Sequence, residues 1–387
     1  MPGICSFREK CYFYPGQAPF QKPTPNTYLL IQKLPTMRRF LFLVPFFVLA
    51  TYSLAQPSSP IPTKDSLGRE SLFDAMSLHP DSIVQLRFTT DLSGLIRTRT
   101  KETYQDASIT YTNRDGKTIS RNVEVKARGN IRKEICSHPP IKIKWRRKTL
   151  DSLGYSRHNE MKVVWQCREG KHYEQVLLRE FMAYRLYNLI SPYSFRVQLA
   201  KMEVHDAAHP QRHHSKYAFF IEDESQFEER TQGKFQDTLL RSQRELVRDE
   251  LLTLYVFQYM IGNTDWSLGN LHNVRILHFP ALDKSIVVPY DFDYAGMVGA
   301  NYAVPHETLP IKDVRERYYK GGECSEQEIQ RLTQLFLAKK QPVLSYCEQF
   351  PHLDGLVKKD LVDYMESFFL MLEDKRGLHQ VIRTKSN

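Results

Sequence analysis

The feature that most constrains the fold of this chain is a change in hydrophobic period between its two halves. In residues 82–148 apolar and polar residues alternate, as at Val84 and Leu86, and an Asp-Gly pair at 115–116 separates two such runs. Alternation with a period of two is typical of half-buried strands, and Asp-Gly is a common hairpin turn. In the second half apolar residues recur mainly at helical spacing, as in residues 244–261. This order predicts an α+β architecture with two lobes and a cleft between them.

The first 55 residues are predicted to lie outside the folded part. Residues 37–55 combine a basic start, an apolar run at 40–50 and a small-x-small exit, which is typical of a secretory signal peptide. The apolar run is shorter than the roughly 20 residues that a membrane-spanning helix needs, although an uncleaved anchor is an alternative. We expect Met37 to be the initiator and residues 1–36 to come from an upstream start. We also expect export to the periplasm or the extracellular space, with membrane contact only through the signal peptide.

Composition and charge narrow the class of protein. The 387 residues are 41% hydrophobic and 25% charged, and the mean hydropathy is −0.47, which excludes a wholly disordered chain and a polytopic membrane protein. The net charge is +10. Residues 1–55 hold six basic residues and one acid, so 48 basic and 43 acidic residues remain and the net charge falls to +5. This smaller charge weakens the argument for a nucleic-acid partner, and we predict none.

Four cysteines follow the predicted signal peptide, namely Cys136, Cys167, Cys324 and Cys347. In an exported protein such cysteines can form disulfides. Four cysteines allow three pairings, and the sequence does not choose among them. No two of them have the Cys-x-x-Cys spacing that is typical of a zinc or redox site.

The most informative segment is the loop Gly-Asn-Thr-Asp-Trp-Ser-Leu-Gly-Asn-Leu-His-Asn at 262–273, which precedes a predicted strand pair and Pro-Tyr-Asp-Phe-Asp at 289–293. An acid in a loop, an amide five residues later and an acid after the second strand form the layout that phosphoryl transfer requires. The first acid, Asp265, orients the attacking hydroxyl and accepts its proton, while an amide oxygen and the later carboxylate suit Mg²⁺. Asp, Asn and Gly are also common turn formers, so the segment by itself also allows a plain turn.

These motifs resemble the catalytic and metal-binding loops of atypical protein-kinase-like families. The similarity is closest to the CotH-type spore-coat kinases and more distant to the HipA-type kinases. Weaker upstream motifs extend it, in order, from about Val123 to Gly296: Arg-Gly-Asn at 128–130, a basic strand at 141–145, a Leu-Arg helix at 178–184 and a strand at 217–223. The resemblance implies a two-lobed protein-kinase-like fold, with a linker at 56–80, a β-rich N-terminal lobe at 81–223 and a helical C-terminal lobe at 224–387.

The resemblance also implies roles for the loop residues. Asp265 would be the catalytic base, and Asp291 the main metal ligand with Asp293 beside it. Either Asn270 or Asn273 would complete the metal site. Asn270 has the five-residue spacing, whereas Asn273 stands directly before the strand, where HipA-like kinases place their Asn. The implied cofactors are ATP and Mg²⁺.

Upstream residues would bind the nucleotide. The resemblance implies that Lys142 or Lys144 holds the phosphates and takes part in catalysis, with Arg128 of the Arg-Gly-Asn turn nearby. Glu180 would be the helix partner of that lysine, and Glu174 is the alternative. Either acid could instead be a solvated helix residue. The chain departs from the family pattern in having no His-Arg-Asp before the base and Trp266-Ser267 after it.

Two further clusters allow other interpretations. A basic run at 142–148, with Arg128, Arg132 and Lys133, could bind phosphate or an acidic polymer, or be a solvated strand face. Four histidines could ligate a metal, but their setting beside a proline indicates an exposed turn. They are His205, His209, His213 and His214.

The sequence therefore predicts an exported, monomeric, kinase-like protein that transfers a phosphoryl group from ATP to a protein hydroxyl with Mg²⁺. A catalytically inactive kinase-fold module that binds a partner at the cell surface is the main alternative. A hydrolase that uses the carboxylates of Asp291 and Asp293 is a third hypothesis.

Overall fold

A computed structural model describes residues 64–76, 82–101, 103–113, 116–238 and 242–384. These residues lie within the unit Ala55–Asn387, and residues 1–54 are not among the described residues. The predicted signal peptide, the upstream extension and part of the predicted linker are therefore outside the described residues. Among the helices of the described part, none is both long and apolar enough to cross a membrane.

Seven strands of the first half close into a barrel. In chain order they are β1 Val84–Thr90, β2 Gln105–Thr112, β3 Thr118–Ala127, β4 Ile141–Lys144, β5 Glu160–Trp165, β6 Val197–Asp206 and β7 His213–Ile221. The order around the barrel is β1-β2-β3-β4-β5-β7-β6. The barrel closes because β6 pairs in parallel with β1, with Val84 opposite Ala200, while the other neighbours are antiparallel. Short helices lie before and between the strands: α1 Leu72–Met76, α2 Leu92–Arg97, α3 Ile131–Ile135 and α4 Arg147–Ser152.

The alternation read from the sequence corresponds to the two faces of these strands. Along β1 and β4 buried residues alternate with more exposed ones, because successive side chains of a strand point to opposite faces. The inward residues form the barrel core, which includes Phe88, Ile109, Val125 and Ile143. The antiparallel strand pairing predicted on either side of the Asp-Gly turn is present between β2 and β3, and residues 114–115 of that turn lie outside the described residues.

The second half is mostly helical and carries a small sheet. The helices are α5 Lys171–Ile190, which lies between β5 and β6, then α6 Glu224–Thr231, α7 Arg248–Ile261, α8 Glu326–Ala338, α9 Lys340–Gln349, α10 Gly355–Glu373 and α11 Gly377–Thr384. The sheet has the order β10-β9-β8, with β8 Lys234–Gln236, β9 Val274–Phe279 and β10 Lys284–Pro289. A single 3₁₀ turn, Gln243–Glu245, precedes α7.

The predicted two-lobed protein-kinase-like fold is wrong. The structure has a closed, mixed seven-stranded barrel, with the helices mostly in the C-terminal part. Alternation identifies a strand and its buried face but not its partner, and the parallel β1–β6 pair joins strands that are more than a hundred residues apart. The cores are also interleaved at β7, because Phe220 faces the barrel core and Phe219 packs with the helices.

Candidate functional site

The loop at 262–273 begins at a glycine that no other residue can replace easily. Helix α7 ends at Gly262, whose φ of 67° lies in the left-handed region. A Cβ atom at this position would lie 2.2 Å from the Tyr364 hydroxyl oxygen. Directly after the glycine, the side-chain oxygen of buried Asn263 accepts a hydrogen bond of 3.0 Å from the backbone N–H of Asp265. The chain thus leaves the helix in a fixed direction and presents Asp265.

The Asp265 carboxylate is held by two neighbours from the end of the same loop. Its Oδ1 lies 3.0 Å from Nε2 of His272, and its Oδ2 accepts a hydrogen bond of 2.9 Å from Nδ2 of Asn273. The Asn273 amide also donates to the Asp265 carbonyl at 2.8 Å. The Asp265 side chain nevertheless stays 33% exposed. It is therefore oriented but accessible.

The two candidate asparagines differ in their contacts. Asn273 is buried and contacts Asp265, as described. Asn270 is exposed, and its side-chain oxygen accepts a hydrogen bond of 3.3 Å from the backbone N–H of His272. The structure therefore brings Asn273, and not Asn270, into contact with Asp265.

The second acid, Asp291, follows strand β10 and lies near Asp265. The backbone N–H of Tyr290 donates to the Asn273 carbonyl at 3.0 Å, and Asp291 follows with a φ of 61° and donates its N–H to the Tyr184 hydroxyl at 2.8 Å. The surrounding protein removes part of the hydration of the Asp291 carboxylate and so raises its pKa, although the side chain is 41% exposed, and the negative charges of Asp293 and, less strongly, Asp265 raise it further. Asp265 and Asp291 are thus close enough for their charges to interact.

A buried ion cluster lies behind Asp291. Arg132 on α3 donates from Nε to Oδ2 of Asp293 at 2.8 Å and from Nη2 to Oε2 of Glu180 at 2.7 Å. The Tyr302 hydroxyl donates to the same Asp293 oxygen at 3.0 Å. The side chains of Arg132, Glu180 and Asp293 are 10%, 2% and 6% exposed. The cluster fixes Asp293, whereas the Asp291 side chain is 41% exposed and lies 3.9 Å from the Arg132 guanidinium.

Glu180 is a buried acid of this cluster with a raised pKa. Its Oε1 is buried and has no hydrogen-bond partner within the described part of the chain. Burial raises the pKa of Glu180 to about 8, although Arg132 acts in the opposite direction, and the charges of Asp293 and Asp291 add to the increase. The surroundings of Glu180 therefore favour its protonated form more than water does.

The predicted lysine partners of Glu180 lie elsewhere. Lys142 donates from Nζ to Oε2 of Glu160 at 2.8 Å, and the Lys144 ammonium lies 5.1 Å from the ring centroid of Tyr104. The alternative acid of α5, Glu174, lies 3.9 Å from the ammonium of Lys201 on β6. The cation that Glu180 contacts is Arg132, which the sequence places only in a basic run.

A third lysine, Lys162, is influenced by the charge of Arg128, which also acts on Asp291. Lys162 on β5 is the cross-strand neighbour of Lys142 and donates to Oε1 of Glu224 at 2.5 Å. Burial lowers the pKa of Lys162, and the positive charges of Arg128 and Lys142 lower it further. Arg128 also lowers the pKa of Asp291, against the effect of burial. Arg128 therefore acts on both the basic strand face and the acidic site.

The oxygen ligands of the site fit one hard divalent cation. In the part of the chain that the structure describes, no group of three or more His, Cys, Asp or Glu side chains is arranged to hold a metal ion. Mg²⁺ in phosphoryl-transfer sites is usually held by one or two carboxylates, water and substrate phosphates. Asp291 offers a partly exposed carboxylate that receives no hydrogen bond from the described residues, beside the Asn273 amide. Three acids, Glu180, Asp291 and Asp293, lie near the single Arg132 guanidinium, and a cation would relieve the repulsion between Asp291 and Asp293.

The histidines and the cysteines noted in the sequence have simpler contacts. His205 stacks on His213 with 5.6 Å between ring centroids, and His209 lies 3.0 Å from Oδ2 of Asp206. Cys136 and Cys167 form a disulfide, and Cys324 and Cys347 are free thiols.

Sequence reasoning missed four residues of the site. His272 stands in the recognised loop, and Arg132 in the recognised basic run, but neither carries a signal for its contact. Lys162 and Tyr302 lie outside every motif. Known proteins add no assignment, since no protein-family model matches the chain and no curated protein matches it either.

Proposed function

We propose that the protein transfers a phosphoryl group from Mg²⁺-bound ATP to a hydroxyl of a protein acceptor. The observation that carries the proposal is that Asp265, Asn273 and Asp291 meet at the base of the β9–β10 hairpin. The Asp265 carboxylate is oriented and accessible, and the Asp291 carboxylate is 41% exposed and accepts no hydrogen bond from the described residues. The choice of ATP and of a protein acceptor rests on the resemblance to CotH-type kinases, and not on the barrel.

Asp265 is the proposed general base. In the reaction the acceptor hydroxyl oxygen forms a bond to the γ-phosphorus, the bond from that phosphorus to the β,γ-bridging oxygen breaks, and ADP leaves with the electron pair. The hydroxyl proton moves to the Asp265 carboxylate. His272 and Asn273 orient this carboxylate at 3.0 and 2.9 Å. A positioned base of this kind contributes about 100- to 10,000-fold to a rate.

Asp291 and the side-chain oxygen of Asn273 are the proposed Mg²⁺ ligands. When bound, the ion neutralises negative charge on the phosphates. Asp293 supports Asp291 indirectly, because its Oδ2 already accepts hydrogen bonds from Arg132 and Tyr302. The same two contacts disfavour a hydrolase that would use Asp291 and Asp293 as a pair of working carboxylates.

Arg128 and Lys162 are the proposed phosphate contacts, in place of Lys142 and Lys144. Arg128 acts electrostatically on Asp291 and on Lys162, whereas Lys144 is occupied with Tyr104. A guanidinium binds phosphate oxygens in a two-pronged geometry, and an ammonium adds a compact charge. Together they would hold the nucleotide phosphates opposite the acids.

A thermal-shift titration with ATP, Mg²⁺ and both together tests the proposal. A ligand at 100 times its Kd stabilises the folded state by about 2.7 kcal/mol. We expect a Mg²⁺-dependent shift that Asp291→Asn removes. Asn tolerates the left-handed φ of 61° at this position. Asp283→Asn is the matched control, because Asp283 is an exposed acid with a φ of 47° at the other end of the same hairpin, and it should keep the shift.

Transfer is measured with γ-labelled ATP and a serine-rich acceptor protein. Asp265→Asn should retain the thermal shift and lose labelling. No Mg²⁺-dependent shift with any nucleotide would refute the proposal. A shift that requires Asp291, without label transfer by the wild-type protein, would instead support a non-catalytic nucleotide-binding module.

A further inference from the structure

We infer that Lys320 is a positioning residue that holds Asp265 in place through the two backbone carbonyls that flank it. This inference rests on the proposed function, because it assigns a task to the base of that reaction. Lys320 lies in the irregular segment between β10 and α8, more than 50 residues after the loop that it contacts. No motif in the sequence points to it.

The Lys320 ammonium binds the two carbonyls that flank Asp265. Its Nζ donates to the carbonyl of Thr264 at 2.7 Å and to that of Trp266 at 2.6 Å. The carbonyl of Asp265 itself accepts from the side chain of Asn273 at 2.8 Å. Three successive carbonyls are therefore held by two side chains, and the backbone of the base has little freedom to rotate.

Aromatic packing fixes the ammonium over the loop. Lys320 lies 5.3 Å from the ring centroid of Trp266, at a distance where a cation is attracted to an indole face. Trp266 stacks on Tyr255 at 5.6 Å, and Tyr255 contacts the edge of Tyr319 at 6.3 Å. Two successive residues, Tyr319 and Lys320, thus contact the stacked pair of Tyr255 and Trp266.

The next residue shows how tightly this segment is packed. A Cβ atom at Gly321 would lie 2.4 Å from the Tyr319 ring and 2.6 Å from Cδ2 of Tyr255. Only a glycine allows the chain to pass at this distance. Close packing at Gly321 therefore fixes the backbone next to Lys320, so the lysine side chain starts from a fixed point.

Loss of the Lys320 ammonium should lower the reaction rate and leave the affinity for nucleotide unchanged. The Lys320 ammonium acts on the backbone of the Asp265 loop, through the carbonyls of Thr264 and Trp266. Loss of the ammonium would let Asp265 shift while the proposed metal and phosphate ligands stay in place. A displacement of about 1 Å at a reacting group can reduce a rate by about 100-fold.

The test compares Lys320→Met, Lys320→Arg and the control Lys359→Met in the full chain. Lys359 pairs with Asp363 on the exposed face of α10, and its side chain is 72% exposed. For Lys320→Met we expect kcat to fall about 100-fold while the Kd of Mg²⁺-ATP stays within about twofold. Arginine, with several donors, should restore part of kcat. Lys359→Met should behave as the wild type does.

Tryptophan fluorescence gives a readout that does not need turnover. The chain has three tryptophans, and Trp145 and Trp165 lie in the barrel core, so a difference spectrum between Lys320→Met and the wild type reports Trp266. We expect a shifted emission. Unchanged emission, or unchanged kcat, would overturn the inference. If the wild-type protein labels no acceptor, the proposed function fails, and the emission shift still decides whether Lys320 holds the loop.

Discussion

Replacing Arg132 by methionine removes the only guanidinium that contacts both Glu180 and Asp293 in the described structure. Methionine keeps most of the apolar length of the side chain, so the change mainly deletes the charge and two hydrogen bonds, of 2.7 and 2.8 Å. Asp293 would keep the hydroxyl of Tyr302 as a donor. Glu180 can avoid a bare charge, because burial already raises its pKa to about 8.

The expected loss of stability follows from these contacts. Removing one partner of a buried ion pair costs about 3 to 5 kcal/mol, since the other charge stays buried without compensation. In Arg132→Met, protonation of Glu180 would remove one of the two uncompensated buried charges. The loss of stability should therefore lie at the lower end of this range, at about 3 kcal/mol. In an exposed pair the same type of change costs about 0 to 1 kcal/mol, because water replaces the partner.

Urea denaturation at pH 7 measures this difference, with Arg157→Met as the matched control. Arg157 makes a two-pronged pair with Asp151 at 3.1 and 2.9 Å, but its side chain is 66% exposed. Each variant therefore removes two hydrogen bonds of an arginine side chain, which is buried at position 132 and exposed at position 157. If Arg132→Met costs no more than Arg157→Met, with equal denaturant slopes, the buried cluster does not stabilise the fold as argued.

Two further predictions concern the same region. Because the pKa of Glu180 is raised to about 8 in the folded protein, the folded state binds a proton that the unfolded state has released between about pH 4.5 and pH 8, so stability should fall as the pH rises through this window. Glu180→Gln should flatten this part of the urea-derived stability profile, and an unchanged slope would contradict the assignment. Cys136 and Cys167 are 31 residues apart, so replacing both by serine should cost about 3.7 kcal/mol through loop entropy alone. Cys324→Ser, which removes a free thiol, should change the urea midpoint little, and equal effects would refute a stabilising disulfide.

The local part of the site was predictable from the sequence. Asp265 and Asn273 lie within one loop, and Asp291 follows the strand pair that starts at the end of that loop. A two-stranded hairpin brings its first and last residues together whatever the rest of the fold does. The proximity of these three residues therefore depends only on local chain geometry.

The contacts of Glu180 could not be predicted in the same way. Arg132 and Asp293 are 161 residues apart, and Arg132 and Glu180 are 48 apart. These contacts depend on how α3 and α5 lie against the hairpin, which in turn depends on the closed barrel. Strand alternation places Lys142 and Lys144 on one face, but it does not show that Glu160 neighbours both. Alternation alone therefore could not show that Lys142 contacts Glu160 and that Glu180 contacts Arg132.

The Cys136–Cys167 disulfide makes the position of Arg132 depend on the redox conditions around the protein. Arg132 lies on a helix of five residues, which is too short to be stable alone. The residue after this helix is Cys136, joined to Cys167 after β5. The helix is therefore held by a covalent bond at one end and by the two ion pairs of Arg132 near the other. Disulfides persist in oxidising compartments, so the predicted export would provide the conditions in which Arg132 is held against Glu180 and Asp293.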